Sequence, residues 1–248
     1  VLKLRRIFIK ESYDVVHAHL PYAQTVSRLA ARMSNQHAIV STQHNAPTAY
    51  HPLTRITEQV TRPLDTKTVA VSQGVERAHT GTAHEPGRLE DDWCTIYNGI
   101  AVEKFCTDIA RANDEQVRDE FNINASTTVL LNVGRYVPAK GQKKLINAFS
   151  RAETDDVILL LVGHGPLQDD LRSLAADNGL SDCIHVTGQV SSVHPYYAIS
   201  DVFVTASRIE GLPITLLEAM AAGLPSITSD IPGIDEVVQS GETGLLFS

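Results

Sequence analysis

Two glutamates, Glu210 and Glu218, stand eight positions apart in RIEGLPITLLEAMAAGLP. Such a pair can work as acid and base, lie on a solvated helix face, or hold separate parts of one polar ligand. Random placement of 13 glutamates in 248 residues yields about 0.7 pairs at this spacing, so the spacing alone carries nothing. A second group of polar residues lies upstream, where Arg135 and Lys140 follow an apolar run in VLLNVGRYVPAKGQKKLINAF. The planar fork of an arginine and the point charge of a lysine, converging on one pocket, suit a diphosphate. Taken singly, both are ordinary solvated loop cations. Histidines form the third group: His17 and His19 share one face of DVVHAH, and His44 ends STQHN. Imidazoles suit a metal, but no cysteine or carboxylate completes a ligand set at suitable spacing. No metal site is therefore expected.

These residues need elements to position them. DVFVTAS reads as a strand, RIEGL as a loop and TLLEAMAA as a helix, closed by Gly223 with Pro225 beyond it. Pro213 falls where a first helical residue favours proline, whose fixed φ fits and whose missing N–H would have been unpaired. The free N–H groups near Ile214, Thr215 and Leu216 then make an anion site. Glu210 precedes that helix and Glu218 lies more than a turn inside it, so they can grip different parts of one ligand. The same alternation of β-rich runs and helical patterns recurs along the chain, with strands expected at 14–19, 38–42, 68–72, 94–98, 129–134, 157–163, 184–188, 201–207 and 226–230. That is the pattern of an α/β protein with parallel sheets, whose ligands bind beyond the carboxyl ends of the strands. A polar stretch between Asn98 and Asn124 marks a domain junction.

Bulk properties narrow the function. A net charge of −8 argues against a general nucleic-acid binder, which needs a broad basic surface. The longest apolar run, VILLLV at 157–162, falls far short of the roughly 20 residues of a membrane helix. Cys94, Cys106 and Cys183 show no ligand spacing and read as small hydrophobes in a reducing compartment. Lys3, Arg5, Arg6 and Lys10 interleave with Leu2, Leu4, Ile7 and Ile9. That segment is either an ordinary surface helix or an amphipathic helix touching anionic lipid.

Taken together, SRIEGLPITLLEAMAAGLPSITSDIPGIDEVVQSGETGLLF, NVGRYVPAKGQKKLINAF and LLLVGHGPLQDDLRSLA resemble the family 4 retaining glycosyltransferases (glycosyl transferases group 1). The resemblance extends back through AVSQGVERAHTG, TIYNGIAVEKF and DVVHAHLPYAQTVSRLAAR. It implies a GT-B fold, two Rossmann-like domains with parallel sheets facing across a cleft, here an acceptor-side domain at 1–107 and a nucleotide-sugar-binding domain at 124–248. It further implies that Arg135 and Lys140 bind the donor diphosphate, that Glu210 contacts the donor sugar and that Glu218 contacts the ribose. The amides of Ile214, Thr215 and Leu216 are expected on phosphate, and a backbone group near Val190 on the base. His44 is expected near the donor sugar and acceptor, with His17 and His19 as packing or supporting groups. Relatives often carry Phe-Gly where this chain has Leu212 and Pro213, and proline has no N–H to donate.

The implied reaction moves a sugar from a nucleotide-diphosphate sugar to a hydroxyl of a glycan, lipid or small molecule, with retention and without metal or other cofactor. The implied setting is the cytoplasm, with peripheral contact at the inner face of the membrane. Relatives begin with a strand and glycine-rich loop ahead of the segment matching Val1 and continue past GLLFS, so both domains are expected to be incomplete. A GT-B nucleotide-sugar epimerase and a catalytically incomplete donor-binding fragment are the alternatives. A dinucleotide oxidoreductase is disfavoured, because no G-x-G-x-x-G opens a helix after a strand.

Overall fold

A computed structural model describes residues 1–36, 38–89, 92–152 and 156–248. They fall into two compact units, the first Val1–Asn98 with Ile209–Leu212, the second Gly99–Arg208 with Pro213–Ser248. Both are parallel α/β layers, as the alternating pattern predicts.

In unit 1 the strands β1 (Val16–His19), β2 (Ile39–Gln43), β3 (Lys67–Ala70) and β4 (Trp93–Thr95) pair in sequence order, all parallel. Helices α1 (Leu2–Glu11), α2 (Pro21–Met33), α3 (Pro52–Thr61) and α4 (Gln73–Thr80) accompany them. α2 packs between α1 and α3. α4 starts on a Ser72 side-chain cap that accepts from Val75 N–H, and it ends at Gly81 in the left-handed region, the expected stop.

The interior of unit 1 is unusually polar. Arg28 of α2, fully buried, donates to both carboxylate oxygens of Asp65 at 2.8 and 2.6 Å, to Thr61 Oγ1 at 3.2 Å and to Glu58 at 3.4 Å. Gln43 of β2 donates to Glu58 at 2.9 Å, and Ser41 donates to Asp65 at 2.9 Å. One guanidinium thus faces two carboxylates, each held by further donors, which is what a buried charge requires. Burial and the charge of Glu58 push the Tyr50 phenol up to about 12.

Unit 2 has a six-stranded parallel sheet. Its elements in chain order are α5 (Val102–Ala110), α6 (Glu115–Glu120), β5 (Thr128–Val133), α7 (Gln142–Phe149), β6 (Val157–Val162), α8 (Gln168–Asp177), β7 (Ile184–Gly188), α9 (His194–Ala198), β8 (Val202–Thr205), α10 (Ile214–Ala221), β9 (Ser226–Ser229) and β10 (Gly244–Phe247). The strand order is β10-β9-β8-β5-β6-β7. β6 reads VILLLV because helices cover both faces of a parallel sheet. Its Leu160 and Val162 enter one apolar cluster with Leu131, Phe203 and Leu216, while Leu159 and Leu161 enter another with Ile146, Phe149 and Leu171. Each such buried side chain contributes roughly 1.5–3 kcal/mol.

The polar stretch after Asn98 forms α5 and α6, both within unit 2. Cys106 lies exposed on α5, its Sγ donating to Ala221 O at 3.4 Å; Cys94 is buried and Cys183 half-buried. No helix among the described residues is long and apolar enough to cross a membrane.

Candidate functional site

Unit 2 reverses its strand order between β5 and β8, and open parallel sheets bind ligands at the carboxyl ends of such a pair. The segments leaving these two strands carry Arg135, Lys140 and the start of α10. After β5 the chain passes through the exposed Arg135 and the buried Tyr136 into a 3-10 turn at Pro138–Lys140, then into α7. Gln142 Nε2 donates to Arg135 O at 3.0 Å, tying the loop to the helix.

Two glycines bring this loop into place. Gly141 has φ +69, and a Cβ there would run into the Ala206 carbonyl just past β8. Gly163, after β6, has φ +146 and sits against the Gly134 carbonyl. Both positions demand a residue without a side chain, on conformational and spatial grounds together. The sequence signal was GHG directly after VILLLV and the Gly of AKGQ, but the contacts that require them come from segments distant in the chain.

α10 starts one residue later than its sequence suggests. Pro213 is the N-cap, extended at φ −72 and ψ 121, not the first helical residue. Its carbonyl accepts from Leu216 N–H at 3.1 Å, so that amide serves the helix, while the amides of Ile214 and Thr215 precede the first helical bond. Glu218, one turn on, accepts from Tyr197 Oη at 2.9 Å, and the same hydroxyl lies 3.1 Å from Thr215 O. Burial raises the Glu218 pKa, against the opposing pull of the Tyr197 bond and of His194. Burial and the Glu218 charge drive the Tyr197 phenol far above its usual value. Tyr197 went unnoticed in the sequence because a tyrosine in HPYYA reads as packing. Val190 follows β7, half-buried against the apolar cluster of Leu131 and Phe203.

Unit 1 gathers the histidines. His19 Nδ1 lies 2.9 Å from His44 Nε2, and the His17 and His19 rings lie 4.3 Å apart. His17 Nε2 is 2.8 Å from Thr42 Oγ1. Burial, then the neighbouring imidazoles, lowers the pKa of His44 and of His17. A hydrogen bond between two imidazole nitrogens needs one donor and one acceptor, so the tautomers of His19 and His44 are linked. The segment Ile209–Leu212 belongs to this unit, and its Gly211 sits against the His44 carbonyl, where a Cβ would collide. Glu210 is its neighbour in that segment and is half-buried. Asn98 Nδ2 donates to Leu212 O at 2.9 Å, anchoring the same stretch. Among the described residues no group of three or more His, Cys, Asp and Glu side chains could hold a metal ion.

Residues 113–248 match the family described as glycosyl transferases group 1, and residues 1–104 match glycosyltransferase family 4. The chain is 27% identical over 256 residues to N-acetyl-alpha-D-glucosaminyl L-malate synthase of Bacillus anthracis, covering 98% of this chain and 64% of that protein. It is 29% identical over 260 residues to GDP-mannose-dependent alpha-(1-6)-phosphatidylinositol monomannoside mannosyltransferase of Mycobacterium tuberculosis, covering 99% of this chain and 65% of the relative. The chain therefore spans slightly under two thirds of the length of these relatives. The crystal structure of Anabaena Alr3699/HepE in complex with UDP and glucose matches with a TM-score of 0.83 at 22% identity, over 98% of this chain and 67% of that one. That likeness carries the fold, GT-B. With the family match spanning more than half of its residues, the chain belongs to the glycosyl transferases group 1 family, among the family 4 glycosyltransferases.

Proposed function

We propose that this chain supplies the donor site and part of the acceptor side of a retaining glycosyltransferase, which moves a sugar from a nucleotide-diphosphate sugar to an acceptor hydroxyl. The observation that carries this reading is the strand-order reversal between β5 and β8, with Arg135 and Lys140 after one strand and the amides of Ile214 and Thr215 beyond the other. Positive charge aimed at a departing diphosphate stabilises the charge that develops there, usually the largest catalytic contribution. In this reading those groups do that work without a metal, and the leaving phosphate helps to deprotonate the acceptor on the same face. Glu218 holds the ribose, Val190 the base through its backbone, and Glu210 with His44 the sugar. Leu216 N–H, used within its helix, leaves Ile214 and Thr215 as the phosphate donors.

In this proposal the donor domain expected at 124–248 corresponds to unit 2, which also takes in residues 99–123, and the acceptor-side domain expected at 1–107 corresponds to unit 1, which ends at Asn98 and takes in Ile209–Leu212. The relative from M. tuberculosis is named for GDP-mannose and for a phosphatidylinositol acceptor, whereas the Anabaena structure holds UDP and glucose. A glycan or lipid-linked acceptor, reached from the cytoplasm at the inner face of the membrane, fits those names.

The test is calorimetric titration of the chain with UDP-, GDP- and ADP-sugars, followed by the best donor against Lys140→Ala and Glu218→Ala. Loss of a hydrogen bond to a charged group predicts about tenfold weaker binding or more in each variant. Wild-type affinity in both variants overturns the assignment.

A further inference from the structure

A glutamate that is to hold a sugar hydroxyl has to be aimed, because its long side chain gives up rotamer freedom when it binds. Glu218 is aimed by its surroundings. It is half-buried on α10, and Tyr197 Oη donates to its Oε2 at 2.9 Å. Its second oxygen, Oε1, has no hydrogen-bond donor among the described residues. A carboxylate with one oxygen held and the other open is suited to a ligand hydroxyl.

The donor of that bond is itself held in place. Tyr197 is 1% exposed, its ring 5.4 Å from Phe105 at 77° and 6.5 Å from Phe203 at 18°. α9, which carries it, is short, and its start is pinned by Ser192 Oγ, which accepts from His194 N–H at 3.3 Å. The Tyr197 hydroxyl also lies 3.1 Å from Thr215 O, in the first turn of α10. One proton thus faces a carboxylate and a carbonyl, and the charge of Glu218 makes its bond the stronger. Packing alone does not call for that hydroxyl. The neighbouring Tyr196 is 7% exposed, and its hydroxyl makes no hydrogen bond among the described residues.

We propose that Tyr197 is a positioning residue of the nucleotide site, whose hydroxyl turns Glu218 so that Oε1 meets a ribose hydroxyl and so gives the site a preference for ribonucleotides over deoxyribonucleotides. The inference rests on the assignment of Glu218 to the ribose in the proposed function. It adds the residue through which that carboxylate is held and the substrate feature that it selects.

Calorimetric titration of the chain with whichever of UDP, GDP and ADP binds tightest, and with the 2′-deoxy and 3′-deoxy analogues of that nucleotide, tests it. Removing the hydroxyl that Glu218 contacts should weaken binding to the unaltered chain about tenfold, the loss expected for a hydrogen bond to a charged group. Tyr197→Phe should bind the ribonucleotide about fivefold more weakly and bring the larger of the two preferences down to about twofold, with circular dichroism unchanged. Tyr196→Phe, the same change one position away, should leave affinity and preference as they were. Glu218→Gln should lose the preference as well, and the Tyr197→Phe/Glu218→Gln double variant should lose nothing further, because the hydroxyl acts through the carboxylate. Full preference in Tyr197→Phe, an equal loss in Tyr196→Phe, or additive losses in the double variant overturns the inference while a loss in Glu218→Gln leaves the ribose assignment standing. Unchanged affinity and preference in Glu218→Gln, or no binding of any of the three nucleotides, overturns that assignment and the inference with it.

Discussion

The two sheets are covered by the same kind of layer but held by opposite chemistry. Beneath the helices of unit 2 lie leucine, isoleucine, valine and phenylalanine; in unit 1 a small apolar cluster of Phe8, Val16, Ala30, Ala31 and Ile39 is joined, beneath α2 and α3, by an arginine, two carboxylates and two glutamines. An apolar core is strong and tolerant, since similar volumes substitute for one another. A polar core is exacting, because each member depends on its partners' geometry and removal of one leaves the others charged and dry.

The sharpest way to break this comparison is Arg28→Met set beside Leu160→Ala. The first leaves Glu58 and Asp65 facing each other unpaired and should cost about 3–5 kcal/mol in urea unfolding. The second opens a cavity and should cost about 2–5 kcal/mol. Size alone does not separate them, but coupling does: adding Asp65→Asn should restore part of the Arg28→Met loss. Simple additivity in that double variant would mean that unit 1 is not held by its charges.

A pH dependence comes next. His79 of α4 is half-buried, its Nε2 3.2 Å from Asn45 O and its Nδ1 buried without a partner, and burial lowers its pKa to about 4. A folded pKa below the unfolded value favours the neutral ring. The stability this contributes is present above about pH 6.5 and is lost as pH falls through about 4, up to roughly 3 kcal/mol in total. His79→Gln should flatten the stability profile of unit 1 between those values. An unchanged profile would move the acid sensitivity elsewhere.

The smallest effect belongs to unit 2, where Tyr197→Phe removes one hydroxyl. About 1 kcal/mol of stability should be lost, and the Glu218 pKa, which that bond now lowers, should rise further in a carboxyl-resolved titration. An unmoved Glu218 would show that the bond does not orient the carboxylate.

The same contrast governs what could be read from the residues alone. β6 announced itself, because six consecutive apolar residues suit a strand covered on both faces. The loop and helix around Glu210 and Glu218 were legible from their proline and glycine punctuation, to within one residue at Pro213. β10 was not, since GLLF is short and alternates half-buried with exposed positions. α5 and α6 read as a polar linker because each buries one side chain, Phe105 and Val117. The network of unit 1 was invisible for a different reason. Arg28, Glu58 and Asp65 lie far apart in sequence, and polar residues at helical spacing read as a wet face, so nothing in the residues alone marks them as one buried network. Arg135 and Lys140 stood out by type and position, but the glycines that seat their loop did not, because their need arises from backbone brought close by the fold.

That seating has a consequence for anyone who would retarget the protein. With Gly141 against Ala206 and Gly163 against Gly134, the turn that presents Arg135 and Lys140 admits no bulkier residue at these points. On the proposed function, laboratory evolution toward another nucleotide should therefore find few viable sequences there. It should accumulate its changes instead in the stretch after β7, where Gln189 and Ser191 are exposed.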